Sequence, residues 1–377
     1  MAGPTPRGGL ADWRNRLLGN PRFIRWAQRT PLVRRLARRR AAALFATVAG
    51  FVNSQVLLAC VELGLFEELA EGPREETTLA QRLRLEPERL RVLLRAAAAL
   101  QLAEDRGAGR WGLGPLGSNV LGDPSIAALV RHHRILYRDL EDPVGLLRDP
   151  HRSTGLAGLW PYAGAGDPGS VSADSAREYT ALMAASQQMI AWQVLQAFDF
   201  RGFDRLLDVG GGDGSFLAAV GQRHPALRLA LFDLPGVVAH ARETLERAGL
   251  SPRTDLFEGD FHRDPLPGGQ SLISLVRVLH DHDDAPAGRL LAAARRALNP
   301  NGRLLVAEPM RDTPGAEAMG GAYFGFYLLA MGSGRPRSPA ELRRLLADSG
   351  FVGVRHHPTP LPLVCSVLSA GVGTSRS

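Results

Sequence analysis

The polar residues with chemistry to offer stand at the ends of apolar runs. Leu206-Leu207 leads into Asp208, Leu229-Ala230-Leu231-Phe232 into Asp233, and Leu304-Leu305-Val306-Ala307 into Glu308. The run from Ser271 to Val276 leads into Arg277 and, three residues later, His280. A shorter segment near Leu256-Phe257 precedes Asp260-Phe261. If these runs are strands of one parallel sheet, five strand ends bring carboxylates, an arginine and an imidazole to a common rim. Open α/β sheets bind their ligands at that rim.

The first of these acids opens a glycine-dense turn, Asp208-Val209-Gly210-Gly211-Gly212-Asp213-Gly214. Glycine permits positive φ and close approach of a ligand to the backbone. The helix that follows begins with unpaired N–H groups. The D-x-G-x-G-x-G spacing differs from the G-x-G-x-x-G loop whose helix faces a pyrophosphate. An acid directly before the loop repels phosphate and suits an ammonium. S-adenosylmethionine (SAM) carries an ammonium and a sulfonium. Asp233 follows about 20 residues on, where a ribose-binding carboxylate belongs. That second acid distinguishes the loop from a plain glycine-rich turn.

Leu279-His280-Asp281-His282-Asp283-Asp284 has the residue types that ligate zinc or iron. The six are contiguous, so few can face one ion, and Asp283 or Asp284 suits the cap of a helix starting near Ala285-Pro286. No metal site is expected. His280 reads as a general base beside the sulfonium, with a buried structural histidine as the plainer alternative. Adjacent His132 and His133 would point about 100° apart on a helix and so make no two-ligand face. They read as pocket or surface residues.

The elements that must position these groups follow from the pattern. Strands are expected at 205–209, 228–232, 271–276 and 303–307, and helices at 215–223, 235–248, 284–298 and 338–349. That alternation is a Rossmann-like, doubly wound α/β sheet. Just before it, Glu178 to Phe198 reads as one mostly apolar helix. Core packing accounts for most of it, and its place in the chain makes Met183, Ser186 and Gln187 candidates to line a substrate. Phe324 and Tyr327 belong to a second apolar stretch that suits a long hydrophobic substrate, although core packing explains it equally well.

Earlier in the chain, Ala41 to about Leu69 is helical in pattern. Short helices from Thr77 and Glu86 and a hairpin around Arg110-Trp111-Gly112-Leu113 follow, a winged-helix-like arrangement. Its second helix carries Arg89, Arg91 and Arg95 beside Val92, Leu93, Leu94 and alanines, a face for packing and not for reading bases. A dimerisation module is therefore expected in preference to a DNA reader. Residues 7–40 hold eleven arginines and one acid, Asp12, so the net +7 of the chain leaves −3 for the remainder. Trp13, Phe23 and Trp26 back those arginines, and Pro21 and Pro31 cut them into short helices. Such faces suit an anionic membrane surface. Packing on protein is an equal alternative, and no nucleic acid is expected.

With 377 residues and 45% hydrophobic content, the chain is long enough for two full cores. The expected divisions are a basic arm at 1–40, a mostly α-helical dimerisation and substrate domain at 41–170, a substrate-lining connecting helix at 171–200, and the SAM-binding catalytic domain at 201–377. Two cysteines, Cys60 and Cys365, suggest a reducing, cytoplasmic setting, peripheral to the membrane if the arm binds lipid. No apolar run reaches the ~20 residues of a membrane span.

Assembled, these motifs resemble the two-domain SAM-dependent O-methyltransferases of small molecules: 206–212, Phe232-Asp233-Leu234-Pro235, Gly259-Asp260-Phe261, Arg277-Val278-Leu279-His280-Asp281 and Ala307-Glu308-Pro309. Residues 277–284, 322–327 and the arginine-rich N-terminus are similar to the carotenoid 1-hydroxy, demethylspheroidene-type branch. The resemblance implies that Asp208, Gly210 and Gly212 hold the methionine part of SAM, that Asp233 binds the ribose, and that Asp260 and Phe261 meet the adenine. It places Arg277 near the cofactor, makes His280 the proton acceptor oriented by Glu308, and implies a homodimer. The family often has a second supporting glutamate in a segment that here reads Gly334-Arg335-Pro336-Arg337-Ser338, with proline at the acid's place.

The reaction so implied is transfer of a methyl group to the tertiary C-1 hydroxyl of an acyclic carotenoid. The alternatives are a quinone, polyketide or chlorophyll-type acceptor, or a non-catalytic SAM-binding or DNA-binding regulator. An intact His280 beside the full loop disfavours the regulator, and the alanine-rich helix disfavours the DNA reader.

Overall fold

The computed structural model describes residues 9–159 and 186–373. By compactness the chain divides into two units, residues 1–122 and 123–377.

In the first unit, α1 (Leu10–Leu18), α2 (Pro21–Arg29) and α3 (Pro31–Glu62) follow one another. Proline at the first helical position starts α2 and α3, where a missing N–H costs nothing. Asn20 caps α2 by accepting from the Arg22 N–H at 2.9 Å. The expected break at residue 40 does not exist: α3 runs unbroken through it, and polar Asn53, Ser54 and Gln55 remain helical. Despite the short apolar runs, α3 is long and apolar enough to cross a membrane by length and composition. Its Leu44, Phe45, Val48, Phe51 and Val52 are exposed on the single chain. Beyond it come α4 (Leu65–Ala70), β1 (Arg74–Glu75), α5 (Glu76–Leu83), α6 (Pro87–Ala99), the hairpin β2 (Ala103–Asp105) and β3 (Arg110–Leu113), and α7 (Pro115–Gly122). The three strands form a small sheet, and α6 buries Leu90, Leu94 and Ala97, whereas Val92 of the expected packing face is exposed.

The second unit starts earlier than residue 170. Its first helices are α8 (Pro124–Asp139), α9 (Pro143–Arg148) and α10 (Gly155–Leu159), and α8 is a regular sixteen-residue helix. Leu136, Leu146 and Leu156 share a core cluster with Leu328, Ala330 and Met331 near the C-terminus, which draws these helices into the second unit. Helix α11 is described over 186–197; Met183 lies outside the described residues.

Seven strands form the main sheet: β4 (Arg205–Val209), β5 (Arg228–Asp233), β6 (Thr254–Glu258), β7 (Gln270–Val276), β8 (Leu298–Glu308), β9 (Phe351–His357) and β10 (Ser366–Val372), in the order β6-β5-β4-β7-β8-β10-β9. The first five are parallel, as expected, whereas β10 and β9 are antiparallel additions at one edge. Helices α12 (Ser215–Arg223), α13 (Pro235–Arg247), α14 (Asp284–Ala297), α15 (Phe324–Met331) and α16 (Pro339–Asp348) complete the unit. Successive strand residues serve opposite faces: Leu207, Val209, Ile273, Leu275, Leu304 and Val306 pack into one core, and Leu206, Leu272, Leu305 and Ala307 into the other. Burial on both faces explains why these strands read as continuous apolar runs.

Candidate active site

Asp208 lies near the end of β4, in register with Ser274 of β7, and is 1% exposed. The Ser274 hydroxyl donates to Asp208 Oδ1 at 2.6 Å. Burial, with the nearby charge of Asp233 and against the Ser274 hydrogen bond, pushes the Asp208 carboxyl up to about 7. The chain then turns at Gly210, where φ is +68° and a Cβ would lie 2.8 Å from a Val278 methyl, so only glycine fits. The Gly212 N–H donates to Asp233 Oδ2 at 2.8 Å and the Leu234 N–H to Asp233 Oδ1 at 2.7 Å. The loop thus brings Asp208 and Asp233, both buried, to one place, with open space beside Gly212. A buried carboxylate that is costly to ionise alone, beside a loop open on one side, fits a ligand that brings its own ammonium.

Asp260 follows β6, the neighbour of β5, and accepts from the His262 N–H at 2.9 Å. Phe261 is buried against the rings of His262 and His282, at 4.6 and 5.4 Å between centroids. His282 therefore packs with aromatics, and among the described residues no group of three His, Cys, Asp or Glu converges to hold a metal. Arg277 follows β7 in a left-handed conformation, φ +57°, which a non-glycine residue holds only where its surroundings impose it. Its N–H donates to the Ala307 carbonyl and its Nη1 to Ser186 Oγ, at 2.8 and 3.0 Å. Two positions singled out separately, Arg277 and Ser186, are thus in contact. The neighbouring Gln187 is buried, and its Oε1 has no hydrogen-bond partner among the described residues.

His280 occupies a single 3-10 turn, Leu279–Asp281, directly after β7 and is 6% exposed. Its backbone N–H donates to Glu308 Oε2 at 3.1 Å. Its ring lies between two carboxylates: Nε2 is 3.1 Å from Asp281 Oδ1, and Nδ1 is 3.7 Å from Glu308 Oε2. The second distance is too long for a hydrogen bond and leaves an electrostatic contact. Burial opposes a charge on the ring, but Asp281 and Glu308 together outweigh it and push His280 up to about 9. Asp281 was not singled out from the sequence, because it lay inside five contiguous polar residues. It supplies a second carboxylate at the ring where Pro336 takes the place of an acid.

An aromatic wall stands on the other side. Phe324 is 6.1 Å from the His280 ring, and Tyr323 and Tyr327 pack against Phe324. The two tyrosines, four residues apart, share hydrogen bonds with His133 Nε2 (2.8 Å) and His132 Nε2 (2.9 Å) on α8. Burial, then the neighbouring His133, lowers His132 to about 4, and burial lowers His133 as well. Adjacent helical histidines that make no metal face instead reach two tyrosines one helical turn apart.

Known proteins resemble this chain over most of its length. Residues 137–352 match the family model of the O-methyltransferase domain, and residues 45–123 that of the O-methyltransferase dimerisation domain. The chain is 44% identical over 370 residues to demethylspheroidene O-methyltransferase of Cereibacter sphaeroides, covering 97% of each chain. It is 42% identical to the Rhodobacter capsulatus protein of the same name, covering 97% of this chain and 91% of that one. Among solved structures, human N-acetylserotonin methyltransferase in complex with SAM matches with a TM-score of 0.73 and 26% identity over 89% of this chain and 98% of that one. A strand-end acid, a glycine loop and a carboxylate-flanked histidine, in a chain with a dimerisation domain, thus have one common setting: the protein belongs to the SAM-dependent O-methyltransferases and is a homodimeric enzyme of that family.

Proposed function

We propose that this enzyme methylates the tertiary C-1 hydroxyl of an acyclic carotenoid. The observation that carries the acceptor class is the wall beside His280. Phe324, Tyr323 and Tyr327 offer ring faces, and both tyrosine hydroxyls are already engaged by His133 and His132, so the wall favours a hydrocarbon over a polar acceptor. Two relatives named demethylspheroidene O-methyltransferase support that reading.

SAM, when bound, supplies a methyl group on a positive sulfur. Asp208 and the Gly210–Gly212 turn would hold its amino-acid end, Asp233 its ribose, and Asp260 and Phe261 its adenine, with Arg277 close by. Ser186, Gln187, Phe324 and Tyr327 would line the acceptor. At the reacting oxygen, His280 Nε2 accepts the proton. Glu308 keeps the ring oriented through the His280 N–H and Nδ1. An aliphatic alcohol is about as weak an acid as water, pKa about 15.7, while His280 stands at about 9. Ionising the alcohol first would cost roughly 9 kcal/mol, so the proton moves to His280 as the C–O bond forms. Alignment of the two reactants can supply a further ~7–11 kcal/mol.

The acceptor is tested by offering the full chain an acyclic 1-hydroxycarotenoid in detergent beside a catechol and a chlorophyllide-type pigment. Methyl ether on the carotenoid alone is expected. Turnover only on another acceptor discards the carotenoid reading and leaves the family intact.

The exposed Trp13, Ile24, Trp26, Leu32 and Leu36 sit among the arginines of α1 to α3. This side of the enzyme would rest on an anionic membrane surface, facing the cytoplasm, where a carotenoid dissolves. Because α3 continues past residue 40, charge is removed without cutting the helix. Replacing Arg34, Arg35, Arg38 and Arg39 with glutamine should abolish flotation with anionic vesicles, at about 1 kcal/mol per arginine near the surface. Equal flotation of variant and wild type would assign the arm to protein packing.

A further inference from the structure

The turn that carries His280 is gripped from behind by a segment 52 to 58 residues further along the chain. Four consecutive backbone carbonyls of the turn each meet a donor from Ser333–Arg337. Arg337 Nη1 donates to the Leu279 carbonyl at 2.6 Å, and the Arg335 N–H to the His280 carbonyl at 2.9 Å. Ser333 Oγ donates to the Asp281 carbonyl at 3.0 Å, and Arg337 Nη2 to the His282 carbonyl at 2.7 Å. Gly334 makes the close approach possible: its φ is +77°, and a Cβ there would lie 2.1 Å from the His280 carbonyl oxygen. Arg337 is only 1% exposed. Its charge is met by Asp284, whose Oδ1 accepts from Nε at 2.9 Å. Asp284 also accepts from Arg335, and Arg335 in turn pairs with Glu341. Helix α16 anchors the segment through a capping box in which Ser338 and Glu341 satisfy each other's backbone N–H groups.

We propose that Arg337 is a positioning residue for the proton acceptor: its planar guanidinium holds the Leu279 and His282 carbonyls on either side of His280, and so sets where the imidazole stands between Asp281 and Glu308. A fork of fixed geometry suits this task, which a single ammonium cannot reproduce. The proposal rests on the reading of His280 as the proton acceptor. The segment that lacks a family glutamate at Pro336 thus serves the same histidine through the turn's backbone.

The test compares Arg337→Lys, Arg337→Met and the milder Ser333→Ala with the wild-type chain. Methyl transfer to the hydroxycarotenoid is measured at saturating SAM, SAM affinity by calorimetry, and the His280 titration by NMR. Misplacing a catalytic group by about 1 Å costs on the order of 10²-fold. Arg337→Met is expected to lower kcat by 10- to 100-fold, Arg337→Lys by less, and Ser333→Ala by a few fold. SAM affinity should stay within about threefold, and the His280 titration should move away from about 9. In a His280→Ala background, Arg337→Met should cost no further activity, because coupled residues are not additive. Loss of activity with an unmoved His280 titration, or an undiminished loss in the His280→Ala background, would reduce Arg337 to a stabilising residue. If His280→Ala alone retains full rate, the reading of His280 fails, independently of Arg337. Should Arg337→Met not fold, Ser333→Ala and Arg337→Lys decide through the same titration.

Discussion

Replacing Asp281 with asparagine should make the enzyme better at low pH and worse at high pH. Asp281 Oδ1 lies 3.1 Å from His280 Nε2, both groups buried. At an effective dielectric near 20, such a pair is worth about 5 kcal/mol, or about 4 pH units on the imidazole. Burial works against the charged ring, and Glu308 stays at 3.7 Å, so the usual effect of one carboxylate, roughly 1–3 pH units, is the better guide. His280 would fall from about 9 to roughly 6–8. At pH 7 the neutral, proton-accepting fraction in the free enzyme would rise from about 1% to roughly 10–90%. The ring also becomes a weaker base and loses one of its two anchors, so the high-pH plateau falls. The assay is kcat/KM for SAM against pH, which reports ionisations of the free enzyme. The wild-type profile should climb to about pH 9, and the variant's acid limb associated with His280 should shift down while the limb near 7 from Asp208 stays in place. The two curves cross. An unmoved acid limb in Asp281→Asn would refute the placement of Asp281 at the base.

Asp208→Asn should weaken SAM binding about 10- to 100-fold, the worth of a hydrogen bond to a charged group. It should also abolish the rise of SAM affinity with pH through about 7, both read by calorimetry. Thermal melts should show the ligand-free chain losing stability with rising pH. Asp208 has a folded pKa raised from 3.8 to about 7, so its contribution is full below the first value and lost as pH climbs through the second. His280, raised from 6.5 to about 9, behaves the same way across the higher window. SAM should flatten the lower part of that slope by pairing with ionised Asp208, and an unchanged slope with SAM would count against that pairing.

Much of the site was legible because parallel strands buried on both faces end abruptly in polar residues. Asp208, Asp233, Arg277, His280 and Glu308 all announced themselves in this way. Their partners did not. Ser274 meets Asp208 only through the register of β4 on β7, and Arg337 meets the His280 turn only through the packing of two loops over 50 residues apart. Asp281 was hidden by adjacency, since five consecutive polar residues give no hint of which one faces the ring. The antiparallel edge strands β9 and β10 escaped notice because β9, with one flank toward solvent, mixes Arg355 and two histidines into its apolar pattern. Helix α3 was legible from Ala41 onward but not from Pro31, because the arginines before residue 40 read as a separate basic arm.

The most direct test of the account is a single-turnover measurement of methyl transfer from SAM to the acyclic 1-hydroxycarotenoid by the wild-type chain and by His280→Ala, with SAM binding measured on the same samples. The account predicts methyl ether at the C-1 oxygen for the wild type. It predicts a rate 10²–10⁴-fold lower for His280→Ala, with SAM bound equally well by both. Equal rates, or a product methylated at carbon, would contradict it.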